Sequence, residues 1–231
     1  MGSLRLITYN VRSLRDDRRA VSRLLFGLDP DVVCVQEAPR FLFWRRSGRG
    51  MARRAGLAFV AGGRTTGGSA LLVGRRVEVV ETREVRFTTS PGLFQRGVTM
   101  ARLRTAAGDS VTVASTHLGL DAEERVRHLE ELLAAVGQLP SPVTVLAGDL
   151  NESPDGPVWQ QLAGSWVDCG AGTAEPTFPA RRPRRRIDGV FVRGPVLVTG
   201  CRVVDHRDVL VASDHRPVVV DLDLGVAGRR R

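Results

Sequence analysis

Five short polar blocks, each following an apolar run, constrain this chain more than any other feature. They are Leu6-Ile-Thr-Tyr-Asn10, Val32-Val-Cys-Val-Gln-Glu37, Val111-Thr-Val-Ala-Ser-Thr-His117, Val143-Thr-Val-Leu-Ala-Gly-Asp-Leu-Asn151 and Ser213-Asp-His-Arg-Pro217. Short apolar runs rich in β-branched residues read as buried strands. Strands that all run into acids, amides or histidines place one polar site at the edge of a sheet core. That arrangement suits a magnesium-dependent enzyme acting on phosphate esters.

Between the blocks, strand and helix patterns alternate. A strand over 4–11 leads to a helix near 16–28, whose Val21, Leu24, Leu25 and Leu28 recur at helical spacing and stop before Pro30. A buried strand at 31–36 follows, then a basic helix or pair of helices from Ala38 to Ala55, with Phe41, Leu42 and Trp44 expected to supply apolar contact. Strands are expected at 57–61, 69–73, 76–87 and 96–104. The glycine-rich turn Gly62–Gly68 lacks the lysine of a nucleotide-binding loop. Asp121 with Glu124 is a helix-start signature, after which Val126, Leu129, Leu133 and Val136 line one face. A strand at 143–148, a short helix at 155–163 and strands at 187–192, 196–204 and 217–223 complete the pattern. The expectation is an α/β fold with helix-covered sheets, in one domain over 1–231 with a flexible basic tail at 225–231.

Composition sets further bounds. With 231 residues, 42% hydrophobic, the chain can bury a core without disulfides or an obligate protein partner. Its three cysteines, Cys34, Cys169 and Cys201, are odd in number and scattered, which points to a reducing, cytoplasmic setting. No apolar stretch approaches the roughly 20 residues of a membrane span. A formal charge of +9 invites a polyanionic partner. All 34 basic residues are arginine, a skew that genome composition explains as readily as selection for phosphate binding. Arg181-Arg-Pro-Arg-Arg-Arg186 is either a solvated loop or a phosphate grip.

Taken singly, each polar block has a structural explanation. Gly148–Asn151 reads as a turn, Asp188-Gly189 as a hairpin signal, Ser213–Pro217 as a loop, Asn10 as a strand-end cap and His117 as a core histidine. Jointly, Glu37, Asp149, Asp188 and Asp214, with Asn10, Asn151, His117 and His215, form the toolkit of one reaction.

The ordered set Thr8-Tyr-Asn10, Gln36-Glu37, Ser115-Thr-His-Leu118, Gly148-Asp-Leu-Asn151, Arg186-Ile-Asp-Gly189 and Ser213-Asp-His-Arg-Pro217 resembles the endonuclease/exonuclease/phosphatase superfamily, with its deoxyribonuclease I-like fold, from residue 4 to about 223. The resemblance implies a four-layer sandwich: two packed mixed β-sheets flanked by helices, with the site at the top between the sheets. It also implies Mg2+, with Mn2+ as a substitute, held by Glu37, by Asn10 through its amide oxygen, and by Asp214 at or near the metal. Asp149 would orient and deprotonate an in-line water, and Asn151 would contact the phosphate. Asp188 would fix the tautomer of His215 and favour an imidazolium facing phosphate. His117 would be a second phosphate ligand or leaving-group acid. Apart from the resemblance, Arg96 reads either as a phosphate contact or as a surface arginine, and Arg184, Arg185 and Arg186 as the substrate contacts of the phosphate-grip reading. The segment Gly67–Leu72 holds no glutamate to support His117.

Three function classes follow. The first is a divalent-metal-dependent phosphodiesterase or nuclease cutting nucleic acid. The second is a hydrolase of a small phosphorylated metabolite or lipid head group. The third, a catalytically silent binder of nucleic acid or protein, fits less well, because the principal acids and histidines are all present.

Overall fold

The computed structural model describes residues 2–173 and 175–225; all but the first residue of the expected basic tail lies outside them. In chain order the elements are β1 Ser3–Asn10, α1 Arg18–Leu28, β2 Val32–Gln36, α2 Trp44–Arg54, β3 Ala58–Gly62, β4 Ala70–Val73, β5 Val77–Arg86, β6 Gly97–Thr105 and β7 Ser110–His117. They continue with α3 Ala122–Gly137, β8 Val143–Asp149, α4 Pro157–Ala163, β9 Val167–Asp168, β10 Asp188–Arg193, β11 Leu197–Val203, α5 Val209–Ala212 and β12 Val218–Asp223. One sheet has the order β11-β12-β1-β2-β4-β3 and the other β5-β6-β7-β8-β10-β9. Each is mixed, with one parallel pair, β1/β2 and β7/β8.

Alternation along the strands builds the layers, because successive side chains point to opposite faces. In β1, Leu4 and Leu6 enter the cluster between the sheets, while Ile7 and Tyr9 join the cluster under α1 and α2. In β8, Val143, Val145 and Ala147 face the other sheet, and Leu146 packs toward Leu129, Leu132 and Trp159 of α3 and α4. Each fully buried Leu or Val contributes about 1.5–3 kcal/mol. A four-layer sandwich results, with the central strands buried on two faces and the edge strands β5 and β11 partly exposed.

Helix termini follow local chemistry. The Asp17 carboxylate accepts from the Arg19 and Ala20 N–H groups to start α1, and Asp121 accepts from the Glu124 N–H to start α3. Three expectations are corrected. The basic helix begins at Trp44 rather than Ala38, because Phe43 sits in the left-handed region (φ 60°), and Phe41 and Leu42 are 70% and 84% exposed rather than packed. On α3, Leu132 is in the core and Val126 is exposed. Asp188-Gly189 forms no hairpin; it opens β10, paired with β8. No helix of the described residues is long and apolar enough to cross a membrane.

Candidate active site

Strand register assembles the site. Asn10 ends β1 opposite Gln36 of β2, and Glu37 follows directly. In the second sheet His117 of β7 lies opposite Asp149 of β8, which lies opposite Asp188 of β10. The approach of β7 to β8 requires glycine at 148, where a Cβ would fall 2.0 Å from the Thr116 carbonyl oxygen. The Ser213 hydroxyl donates to the Asn10 carbonyl at 2.7 Å and ties the last polar block to the first. The two packed sheets thereby bring six separate chain segments to one end of the sandwich.

A hydrogen-bond network joins these residues. The Asn10 side-chain NH2 donates to Asp149 Oδ2 at 3.0 Å and to Glu37 Oε1 at 3.3 Å. Its amide oxygen accepts from the Arg12 backbone N–H at 3.0 Å. Because a backbone N–H can only donate, this fixes the amide orientation: Asn10 faces the carboxylates with donors and positions them, and its oxygen keeps one further lone pair. Asp149 Oδ1 accepts from the Asn151 N–H at 2.9 Å. His215 Nδ1 is 2.9 Å from Asp188 Oδ2, and its Nε2 is 3.7 Å from Asp149 Oδ2.

Burial sets the charges. Desolvation raises the pKa of Asp149 to about 6, with Asp188 adding to the rise and His215, Asn10 and the Asn151 N–H opposing it. Desolvation pulls His215 down, but Asp188, Asp149 and Asp214 outweigh it and raise its pKa to about 10. His215 is therefore an imidazolium at neutral pH, held by Asp188 and capped by the Phe178 ring at 4.9 Å.

His117 has the opposite character. Burial, reinforced by Arg96 and His215, holds it well below the usual histidine range, so it is neutral. Arg96 can only donate, and its guanidinium meets His117 Nδ1 at 3.0 Å, which puts the ring proton on Nε2. The Nε2–H then has Asp149 Oδ2 as its acceptor, at 3.4 Å, while the Asn151 NH2, which donates to the Leu118 carbonyl at 3.0 Å, lies beside the ring. As a neutral ring, His117 accepts from Arg96 and so holds that guanidinium in place, with its Nε2–H turned toward the Asp149 side of the site. Arginine thus stands where a supporting glutamate is missing. Arg96 itself is 6% exposed rather than a surface group, and its buried Nε has no hydrogen-bond partner.

Two other expectations change. Arg186 is 9% exposed in its side chain, forks onto the Asp168 carboxylate and stacks over Trp159 at 4.7 Å, so it has no free donor pair for substrate. Arg184 and Arg185 are exposed. Asp214 Oδ2 pairs with Arg12 Nε at 3.3 Å and stands apart from the compact ligand group. Phe178 and Arg40, whose charge acts on both Arg96 and His117, were missed in the sequence. Only the position of Arg40, three residues after Glu37, hinted at its role.

The backbone at the site is strained. Glu37 and Asn151 have φ of 49° and 52°, and Arg12, Ser13 and Leu14 form a left-handed turn with φ of 47°, 58° and 55°. Each such non-glycine residue costs roughly 1–2 kcal/mol. The Ser13 N–H to Glu37 carbonyl bond, 2.8 Å, holds the turn against the end of β2. Strain of this kind concentrates where geometry serves a site.

The carboxylate oxygens fit a divalent cation. Asp149 and Asp188 present ligand atoms within 4.8 Å of each other and of a His215 ring nitrogen, which could join them only as a neutral imidazole. Asp188 Oδ1 is buried and has no hydrogen-bond partner among the described residues. A buried carboxylate oxygen without a donor calls for a proton or a cation, and carboxylate oxygen suits a hard cation.

The profile of the Endonuclease/Exonuclease/phosphatase family matches residues 7–215. No curated protein sequence matches the chain. Among solved structures, an endonuclease/exonuclease/phosphatase from Bacteroides vulgatus is similar at 20% identity and a TM-score of 0.82, covering 97% of this chain and 100% of that one. The Bacteroides thetaiotaomicron mannosyl-6-phosphatase Bt3783 is similar at 17% identity and a TM-score of 0.82, covering 95% and 99%. The human Nocturnin catalytic domain is similar at 17% identity and a TM-score of 0.77, covering 96% and 93%. With its two six-stranded mixed sheets and a family match that runs from the first polar block into the last, the chain belongs to the endonuclease/exonuclease/phosphatase family, whose members hydrolyse phosphate esters.

Proposed function

We propose that this chain is a magnesium-dependent phosphodiesterase that hydrolyses nucleic acid by in-line attack of a water oriented and deprotonated by Asp149. The observation that carries the reading is the pairing of two buried groups with opposite tasks, a carboxylate whose pKa lies near neutrality and an imidazolium beside it. A base with a pKa near the working pH combines adequate basicity with a large ionised fraction. His215, charged and anchored by Asp188, offers a positive donor to a phosphoryl oxygen as charge builds there. Arg96, with an unpartnered buried N–H, offers a second. Asn10 and the Asn151 N–H hold the Asp149 carboxylate in one orientation. When bound, a magnesium ion supplies Lewis-acid neutralisation of phosphate and leaving-group charge. Glu37 is its first ligand in this reading, and the free Asp188 Oδ1 is the buried oxygen in most need of a cation.

Net charge of +9 and the exposed Arg184 and Arg185, just before Asp188, favour a polyanionic strand as substrate. The three free cysteines accord with a cytoplasmic setting. A second reading, hydrolysis of a small phosphorylated metabolite, draws on the mannosyl-6-phosphatase that matches this chain end to end.

The test is cleavage of duplex DNA, single-stranded DNA, RNA, bis(p-nitrophenyl) phosphate and sugar phosphates with magnesium, and Asp149→Ala as the blank. Cleavage of nucleic acid, lost in the blank, establishes the first reading. Turnover confined to sugar phosphates establishes the second.

A further inference from the structure

A cavity of about 340 Å³ lies between the start of α1 and the length of α2, and four arginines converge on it: Arg18, Arg46, Arg53 and Arg54. No acidic side chain lines it. Among the described residues none of the four side chains makes an ion pair or a hydrogen bond. Other arginines of the fold are neutralised: Arg5, Arg23 and Arg76 each reach a carboxylate. Helix α2 carries five arginines and no acid. Exposed arginines scattered over a surface are solvated and mean little. Four that share one concavity without a counter-charge repel one another, and an anion in the middle relieves that repulsion.

The place of the cavity is the second observation. Its wall includes Ser13, the middle residue of the strained left-handed turn, and Pro39. Pro39 is two residues beyond Glu37, within about 8 Å of it along the chain. Ser13 bonds to the Glu37 carbonyl. The turn therefore serves two clefts at once, with Asn10 and Glu37 on one side and the arginine cavity on the other.

We propose that this cavity is a subsite for a second, non-reacting phosphate group of the substrate. The assignment rests on the reading of the neighbouring site as a phosphoesterase. The cavity sets which substrates bind: those carrying a further phosphate one nucleoside or one sugar away from the ester that is cut. Its volume is in the range of small-ligand sites.

Two matched substrate pairs test it. The first is the 5′-(p-nitrophenyl phosphate) of thymidine with and without a 3′-phosphate; the second is glucose 1,6-bisphosphate against glucose 6-phosphate. The variant is Arg46→Ser with Arg53→Ser. Arg45→Ser with Arg49→Ser, on the same helix but outside the cavity, is the charge-matched control. Wild type is expected to show a lower KM for the two-phosphate member of one pair. The cavity variant should raise that KM about tenfold, the effect of losing a charge-assisted contact, with the one-phosphate KM unmoved and the control variant without effect. The pair that responds identifies the source of the phosphate, a nucleic-acid strand or a small bisphosphate. An unchanged KM ratio in both pairs, or an equal loss in the control, overturns the subsite. If wild type hydrolyses none of the four compounds, the subsite is judged by calorimetric titration of pyrophosphate without metal, and the phosphoesterase reading fails separately only if DNA and RNA are also left uncut. Binding about tenfold weaker in the cavity variant alone supports it, and equal binding in all three proteins overturns it.

Discussion

The Asp188 carboxylate holds the His215 ring through Nδ1 at 2.9 Å, and this contact leaves Nε2 directed at the Asp149 side of the site, 3.7 Å from Oδ2. One acid thus fixes both the orientation and the charge of the imidazole. Asp188→Asn keeps the shape and removes the charge that offsets burial. The expected result is a loss of about 100-fold in kcat, with the alkaline limb of the rate profile moved to lower pH. A profile with an unmoved alkaline limb would mean that Asp149 and Asp214 suffice to keep His215 charged.

The pH dependence has two limbs with opposite signs. Asp149 works as a base only when ionised, so activity rises as pH climbs through its raised pKa, about 6. His215 works only when protonated, so activity falls as pH climbs through about 10. The kcat/KM profile of the free enzyme is therefore expected to be a broad bell with a plateau between these values. Cation binding near Asp149 favours its ionised form and draws the acid limb downward as magnesium is raised. An acid limb that moves upward with magnesium would contradict the base assignment.

Asp149→Asn tests the base without opening a cavity. Rate should fall by at least about 100-fold. The unfolding temperature should hold, because the amide escapes the desolvation that raises the carboxylate pKa. Near-normal turnover would assign the water to another residue.

Much of the fold and the order of the site was legible because β1, β2 and β8 are apolar runs that a folded domain buries, and their polar ends emerge at one edge. Asp121 was legible as a helix cap because its partner is three residues away. What stayed hidden depends on distant partners. Nothing local to Arg186 announces Asp168, 18 residues upstream, and the Arg96–His117 contact joins β6 to β7 through register alone. The left-handed turn at 12–14 carries no glycine to mark it; the Glu37 carbonyl and the Asn10 amide impose it. In each case tertiary contacts overrode the local signal.

Arg186 separates structural from substrate-binding arginines. Its fork on Asp168 and its stack on Trp159 are nearly enclosed. Arg186→Ala strands a buried carboxylate and is expected to cost about 3 kcal/mol of stability, read by urea unfolding, with KM altered less than about twofold. Arg184→Ser with Arg185→Ser removes two exposed charges. That variant should keep full stability, raise KM for nucleic acid, and flatten the dependence of log KM on log salt by about two phosphate contacts. The reverse pattern would make Arg186 the substrate contact and the fork on Asp168 incidental.

Glu37→Gln addresses the cation. The carboxylate is half-buried, held from one side by the Asn10 NH2 at 3.3 Å, and it sits on a residue whose backbone is strained into the left-handed region. An amide keeps the hydrogen-bonding size but halves the acceptor capacity and removes the charge, and hard cations discriminate strongly against that loss. Chelation with EDTA should abolish wild-type turnover, and added Mg2+ should restore it along a saturable curve. In Glu37→Gln the midpoint of that curve should rise by about tenfold or more, as expected for loss of one charged ligand, while the unfolding temperature without metal stays within a degree or two of wild type, because no buried ion pair is broken. An unchanged magnesium midpoint would transfer the first-ligand role to the Asp149, Asp188 and His215 group, whose ligand atoms already lie within 4.8 Å of one another. That outcome would also require His215 to give up its proton to bind metal, and the alkaline limb of the rate profile would then disappear.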